Sequence, residues 1–232
     1  MNKGAVCSLT DPLCTQKIVT LNPKWYYTWN ARGIQGLSSV PFVPMVWGKS
    51  DVPYVPYAVL PESPLLGFNE PDGAQQSNLS VQTALSLWPS IQASGRRLGS
   101  PATAGNPSKD GSWLDQFVKG GGCFDFVCVH WYAPPNAESF LKEVDAIWTK
   151  YKKPIWITEF AVADWSGKFP GGFDLHLVTQ FMKDACAGLE SRSYVERYAW
   201  KTRATSDPSM GTSALFNDDG SLTELGELYA SI

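Results

Sequence analysis

Short apolar runs recur along the whole chain, and this repetition limits the possible folds more than any other feature. Each run is too short for a helix but apolar enough for a strand that is buried on both faces. The runs are Gly4–Val6, Trp25–Tyr27, Phe42–Val46, Leu65–Phe68, Arg97–Gly99, Phe126–Val129, Ile155–Ile157 and Tyr198–Trp200. They predict eight β-strands.

Helical patterns separate several of these runs. The clearest spans Glu138–Tyr151, where apolar residues recur three and four positions apart. Four prolines between Val52 and Pro64 oppose a regular helix there, so we expect the third helix to be short or replaced by irregular chain. The other predicted helices are Ser80–Ile91, Ser112–Lys119, Leu175–Glu190 and Leu222–Tyr229.

Eight alternations of strand and helix predict an α/β protein, a single-domain (β/α)8 TIM barrel over residues 1–232. An open doubly wound sheet is the alternative. That fold usually binds nucleotides through a glycine-rich loop after an early strand, and no such loop follows any of these runs.

The composition favours a neutral ligand. Hydrophobic residues make up 44% of the chain and charged residues 18%, which excludes a disordered protein, and the formal net charge of -3 gives no broad basic surface for nucleic acid. With 10 Trp, 9 Tyr and 11 Phe, the chain has more aromatic surface than a core needs. We expect part of this surface to line a binding site.

The cysteines and histidines do not form a metal-binding pattern. No cysteine pair has zinc-ligand spacing and there are 2 histidines, so we expect no metal and no other cofactor. The odd number of cysteines leaves at least one thiol free, and spacing does not reveal which would pair. The five are Cys7, Cys14, Cys123, Cys128 and Cys186.

The ends of the chain and one short motif bear on localisation. No apolar run is long enough to span a membrane, and the first residues lack the apolar stretch of a signal peptide. The chain would then be a mature form behind a start Met. Asn78-Leu79-Ser80 matches an N-glycosylation acceptor, which agrees with a secreted or cell-wall-associated protein.

Two glutamates directly follow predicted strands. Glu70 comes after the fourth run and Glu159 after the seventh, and catalytic groups of a TIM barrel lie at the carboxyl ends of its strands. A pair of carboxylates is what glycosidic bond cleavage needs: one protonates the leaving oxygen, and the other attacks the anomeric carbon or activates a water. Either glutamate alone would be interpreted as a solvated loop acid or an ion-pair partner. The matching positions favour a catalytic pair.

The residues around both glutamates resemble a known family. Asn69-Glu70-Pro71 and Thr158-Glu159-Phe160 resemble the retaining (β/α)8 glycosidases of clan A. More narrowly, the likeness is to glycoside hydrolase family 128, the β-1,3-glucanases of fungi and bacteria, and it covers essentially the whole chain. The segments that carry it are Gly67–Asp72, Val129–Tyr132, Trp156–Phe160 and Asp219–Gly226.

The resemblance implies a role for each matching residue. Glu70 would be the general acid and base, Glu159 the nucleophile, and Asn69 would hold the sugar 2-hydroxyl. Tyr132 would hydrogen-bond the nucleophile with support from His130, and Trp200 would form the floor under the sugar.

Several aromatic and polar residues after the strands are candidates for flanking sugar subsites, because aromatic faces stack on the CH faces of glucose. Asp72 and Asp164 are weaker candidates, since loop acids are usually only solvated. The remaining substrate-binding candidates are Asn30, Trp47, Trp131 and Trp165.

The leading hypothesis is a secreted, monomeric, retaining endo-β-1,3-glucanase acting on a β-1,3-glucan polysaccharide or oligosaccharide, with no nucleic-acid or membrane partner. An exo-acting glucanase or another β-glycan hydrolase of the same clan is the first alternative. A protein that binds β-glucan oligosaccharides without cleaving them is the second, and the presence of both acids argues against it.

Overall fold

The structure, a computed structural model, describes residues 2–57 and 62–232. Its regular strands form one five-stranded sheet in which every neighbouring pair is parallel. The strands are β1 (Lys3–Val6), β2 (Trp25–Tyr27), β3 (Val127–Ala133), β4 (Ile155–Val162) and β5 (Val195–Trp200), in the order β2-β1-β5-β4-β3.

The other three predicted strands pair through single parallel bridges. These lead from β2 through the third, fourth and fifth apolar runs and back to the start of β3, which completes the strand order of a (β/α)8 barrel. Proline limits the pairing, because Pro41 and Pro44 have no backbone N–H to donate. The predicted α/β barrel in one domain is confirmed. The bridges join Tyr26 to Phe42, Met45 to Leu66, Leu65 to Leu98 and Gly99 to Phe126.

Six α-helices within the described residues surround the strands. Five overlap the predicted helices, and a side chain before each of these five accepts a backbone N–H from its first turn. The helices are α1 (Cys14–Leu21), α2 (Val81–Gln92), α3 (Trp113–Lys119), α4 (Ala137–Tyr151), α5 (Leu175–Glu190) and α6 (Glu224–Ser231).

Two segments go beyond the helices predicted from sequence. Helix α1 was not predicted, because only Cys14, Ile18 and Leu21 form its buried stripe. At the proline-rich stretch Val52–Pro64, where we expected a short helix or irregular chain, a 3-10 helix spans Lys49–Tyr57. Residues 58–61 of that stretch lie outside the described part. A second, short 3-10 helix spans Gly211–Ser213.

The buried side chains form two layers. An inner cluster contains Trp25, Tyr27, Phe126 and Trp156, whereas a larger outer cluster packs the strands against the helices. Successive strand residues point to opposite faces, so neighbours such as Trp156 and Ile157 enter different layers. This alternation decides which predicted site residues reach the barrel mouth.

All five cysteines are free thiols, and Cys123 is the exposed one. Within residues 2–57 and 62–232, no helix has the length and apolar character that a membrane crossing requires.

Candidate active site

The carboxyl ends of the strands surround one cavity of about 560 Å³. Glu70 and Glu159 both line it, as expected for residues that follow parallel strands. The cavity size falls within the range of ordinary ligand pockets, about 300–1,000 Å³.

A bulge in β4 turns Glu159 towards this cavity. Ile157 and Phe160 both pack in the outer layer although they are three positions apart, and a regular strand would place them on opposite faces. The pairing with β3 steps from Ile157 to Glu159, which leaves Thr158 as the extra residue. Bulges are frequent beside active sites, because they redirect a side chain.

Three donors hold the Glu159 carboxylate. Tyr27 donates its hydroxyl to Oε1 at 2.9 Å, Trp29 donates its indole N–H to Oε1 at 2.7 Å, and the Tyr132 hydroxyl donates to Oε2. Burial by itself raises the pKa of Glu159, but the charges of His130 and Lys201 and the hydrogen bonds outweigh it, so the pKa lies below its ordinary value. Glu159 is thus a buried, ionised and oriented carboxylate.

Glu70 lies in a backbone conformation that L-residues rarely adopt. Its φ is 40°, in the left-handed region, and its N–H donates to the Ala102 carbonyl at 2.7 Å. A non-glycine residue held in this region costs of the order of 1–3 kcal/mol, and such residues cluster at active sites. Glu70 is only partly buried and faces the cavity.

His130 lies between the two glutamates. Its Nδ1 is 2.8 Å from Glu70 Oε1, and its Nε2 is 3.4 Å from Glu159 Oε1. Burial lowers the pKa of His130, but the two carboxylates raise it by more, so the pKa lies above its ordinary value. One imidazole ring therefore lies within ion-pairing distance of both predicted catalytic carboxylates, and its Nε2 has no hydrogen-bond partner among the described residues.

The cavity wall contains four of the predicted substrate-binding residues: Trp47, Asn69, Tyr132 and Trp165. Asn69 donates from Nδ2 to Gln76 at 3.2 Å, while its buried Oδ1 has no hydrogen-bond partner among the described residues. A buried polar atom without a partner is costly, so Oδ1 is suited to accept a hydrogen bond from a ligand.

Three of the predicted substrate-binding residues do not line the cavity. For Trp131 and Trp200 the structure contradicts the prediction. Trp131 stacks on Phe181 in the outer layer, because it alternates with the inward-facing His130 and Tyr132. Trp200 is 1% exposed and donates to the Ser213 carbonyl, so it forms no floor for a sugar. Asn30 is exposed and accepts from the Arg32 N–H, outside the cavity lining.

Asp72 and Asp164 organise loops. Asp72 accepts the N–H groups of Ala104 and Gly105, both at 2.8 Å. Asp164 accepts from Ser166 and from the Phe169 N–H, which fastens the segment that carries Trp165.

Sequence reasoning missed three contacts at Glu159. Tyr27 reads as an ordinary strand residue, and Trp29 follows β2 with a left-handed φ of 53° that orients its ring towards β4. Lys201 directly follows β5 and also lines the cavity. The position of Lys201 directly after a predicted strand was the one sequence feature that could have indicated a role at the site.

No group of three or more His, Cys, Asp or Glu side chains within residues 2–57 and 62–232 is arranged to hold a metal ion. Glu70 and Glu159 can perform acid, base and nucleophilic chemistry.

Comparison with known proteins places this geometry in a family. The family model described as "Glycosyl hydrolase catalytic core" matches residues 4–229. Alkali-sensitive linkage protein 1 of Schizosaccharomyces pombe is 30% identical over 96% of this chain, and the chain spans 43% of that relative's length.

Two solved structures are similar over nearly the entire chain. A subgroup I endo-β-1,3-glucanase of glycoside hydrolase family 128 from Amycolatopsis mediterranei, in complex with laminaritriose, is 34% identical, with a TM-score of 0.86 and coverage of 99% of this chain and 98% of that one. A subgroup VII oligosaccharide-binding protein from Trichoderma gamsii is 25% identical, with a TM-score of 0.81 and coverage of 99% and 92%. The chain therefore belongs to the glycosyl hydrolase catalytic core family and to glycoside hydrolase family 128, whose members include β-1,3-glucanases and an oligosaccharide-binding protein.

Proposed function

We propose that this protein is a retaining endo-β-1,3-glucanase, with Glu70 as general acid and base and Glu159 as nucleophile. The observation that carries this proposal is the contact of both carboxylates with the single buried ring of His130, at 2.8 Å and 3.4 Å. One carboxyl group can then attack while the other protonates, and retention is proposed from the likeness of Asn69-Glu70-Pro71 and Thr158-Glu159-Phe160 to the retaining glycosidases of clan A.

In the first step, Glu70 gives its proton to the glycosidic oxygen while a Glu159 oxygen attacks the anomeric carbon. The bond to the leaving sugar breaks and a covalent glycosyl-enzyme forms. In the second step, Glu70 takes a proton from a water that attacks the same carbon, and Glu159 is released as a carboxylate. The lowered pKa of Glu159 supports its role, since it must be ionised to attack.

The surroundings suit a neutral sugar chain. Asn69 offers its unpartnered Oδ1 to a sugar hydroxyl, and Tyr132 holds the nucleophile from β3. Trp47 and Trp165 present aromatic surface at the cavity, and Trp165 is 64% exposed. Aromatic faces of this kind stack on glucose rings.

The identity of 34% to enzymes named as endo-β-1,3-glucanases supports endo action on laminarin-type β-1,3-glucan. We also propose that residues 1–232 act as one catalytic domain and as a monomer. We further propose that the protein is secreted or associated with a cell wall, since fungal cell-wall glucan is a substrate of the proposed class.

The proposal is tested with laminarin and laminari-oligosaccharides. We expect the unmodified protein to release a range of oligosaccharides early in the reaction, and proton NMR to show the β-anomer first. Release of only one small sugar from a chain end would refute endo action, and initial formation of the α-anomer would refute retention.

The two glutamate roles are separated by chemical rescue. Glu70→Gln and Glu159→Gln should each reduce kcat by at least about 100-fold. With an activated substrate, azide should give a β-glycosyl azide with Glu70→Ala and an α-glycosyl azide with Glu159→Ala. The reverse pattern of products would overturn the assignment.

The oligosaccharide-binding relative from Trichoderma gamsii makes binding without turnover the second candidate. Calorimetry with laminarihexaose decides between the two candidates. Binding by the unmodified protein without cleavage of any β-glucan would favour that candidate over the enzyme.

A further inference from the structure

Lys201 lies in an unusual position for a lysine. It directly follows β5, it is half-buried, and it forms no salt bridge among residues 2–57 and 62–232. Nearby, Arg203 pairs with Asp207 at 3.3 Å. Partial burial of a charged group without a paired carboxylate costs free energy, so the position of the Lys201 ammonium group needs an explanation.

The ammonium group of Lys201 lies over an aromatic ring. Its Nζ is 3.9 Å from the centre of the Trp29 ring, well inside the distance of about 6 Å for a cation–π contact. The same indole donates its N–H to Glu159 Oε1 at 2.7 Å. Lys201, Trp29 and Glu159 therefore form a chain of contacts that ends on the carboxylate.

This arrangement has two physical effects on Glu159. A cation above an indole draws electron density from the ring, which makes the N–H a stronger donor, and contacts of this kind are stronger away from water. The contact also holds the ring in place. In addition, the positive charge acts directly on the carboxylate across the cavity floor.

We propose that Lys201 is a positioning residue for Glu159, which acts by holding the Trp29 indole on the carboxylate and by placing an unpaired positive charge beside it. This inference rests on the proposed role of Glu159 as nucleophile. Because Lys201 acts through the Trp29 ring and through its charge, it changes how readily Glu159 attacks and leaves without taking part in proton transfer.

Other titratable groups face the same carboxylate and must be considered together with Lys201. Tyr27 approaches from β2 and Tyr132 from β3. His130 also approaches from β3 and links Glu159 to Glu70. Removal of the Lys201 charge leaves these groups in place, so Glu159 should remain a carboxylate at neutral pH but become easier to protonate.

The test compares Lys201→Met, which keeps the length of the side chain but removes its charge, with Lys201→Arg, which keeps the charge. For Lys201→Met we expect the acidic limb of kcat/KM to move to higher pH and kcat/KM at neutral pH to fall about 10-fold. In Lys201→Arg, the acidic limb and the value of kcat/KM at neutral pH should both lie close to those of the unmodified protein. The matched control is Lys183→Met, which removes the same charge from the exposed face of α5.

Two spectroscopic measurements on the resting protein do not depend on activity. With 15N-indole labelling, the Trp29 N–H resonance, assigned with Trp29→Phe, should shift to lower proton frequency in Lys201→Met. Infrared titration of the Glu159 carboxyl, assigned with Glu159→Gln, should show protonation at higher pH in the same variant. Circular dichroism verifies that each variant is folded.

Unchanged indole and carboxyl signals in a folded Lys201→Met variant would overturn this inference, even if the enzyme is active. Changed signals in a protein that cleaves no β-glucan would uphold the contact chain and refute the proposed function. A loss of activity in Lys201→Met without a change in the pH profile would show that Lys201 has a merely structural role.

Discussion

Asn69 shows how a single side chain is prepared for a ligand. Its Nδ2 is satisfied by Gln76, whereas its buried Oδ1 has no partner among the described residues. An acceptor left open at the cavity wall, next to Glu70, is suited to a sugar hydroxyl whose hydrogen bond strengthens in the transition state.

We therefore predict that Asn69→Ala lowers kcat/KM for laminari-oligosaccharides by about 2- to 10-fold, because a hydrogen bond between neutral groups contributes of the order of 0.5–1.5 kcal/mol. Steady-state kinetics with the matched variant Gln76→Ala checks this. If both variants have the same effect, Asn69 acts only by holding Gln76.

The environment of Glu159 also affects the expected pH dependence of kcat/KM. Because its pKa lies below the ordinary value, we expect kcat/KM to be maintained as the pH falls through the usual range of a glutamate, about 4.3, and to be lost only below it. A pH–rate profile with a stability control at each pH measures this. Loss of activity well above that range in folded protein would contradict the assignment of Glu159 as the ionised nucleophile.

At the scale of the element, the alternation of β3 divides its residues between two environments. His130 and Tyr132 face the site, and Trp131 between them packs against α4 and α5 through Phe140 and Phe181. Trp165, in contrast, lies on an exposed segment after β4 and lines the cavity. Two tryptophans near the same barrel mouth therefore have different roles.

We predict that Trp131→Ala lowers the free energy of unfolding by about 3–5 kcal/mol, through loss of a large core side chain, and leaves KM nearly unchanged. Trp165→Ala should leave stability nearly unchanged and raise KM for longer oligosaccharides. Denaturant unfolding and kinetics on both variants check the contrast. A stable Trp131→Ala variant with a raised KM would contradict the placement of Trp131 in the core.

At the scale of the whole molecule, the first strand and the last helix hold the two ends of the chain together. Lys3 donates from Nζ to the carbonyls of Tyr229 and Ala230, at 2.7 and 2.9 Å, and the Tyr229 hydroxyl donates to the Gly4 carbonyl at 2.8 Å. Gly226 lets α6 pack closely against the backbone at Leu215, because a Cβ at this position would lie 2.0 Å from the Leu215 carbonyl oxygen.

We predict that Gly226→Ala lowers the free energy of unfolding by about 1–3 kcal/mol, since a backbone atom cannot move aside as a side chain can. The matched control is Gly188→Ala in α5, where the new Cβ would meet the flexible end of Leu141 and helix propensity favours alanine by about 1 kcal/mol. Thermal unfolding of the two variants measures the difference. Equal Tm values would show that α6 can shift without cost.

The architecture and the two candidate catalytic glutamates could be predicted from local sequence patterns. Eight apolar runs with helical patterns between several of them specify a barrel, because each element must bury one face against its neighbour. Glu70 and Glu159 could be singled out because parallel strands end at one edge, where polar side chains meet.

The neighbours that complete the site follow from the three-dimensional fold and could not be predicted. The Thr158 bulge turns Glu159 inward, and the strand alternation that places Trp131 in the core depends on a pairing register that local sequence does not reveal. Tyr27 and Lys201 reach Glu159 from strands that are far apart in the sequence. Such contacts depend on the sheet order β2-β1-β5-β4, which brings Tyr27 of β2 and Lys201 after β5 within reach of one carboxylate on β4.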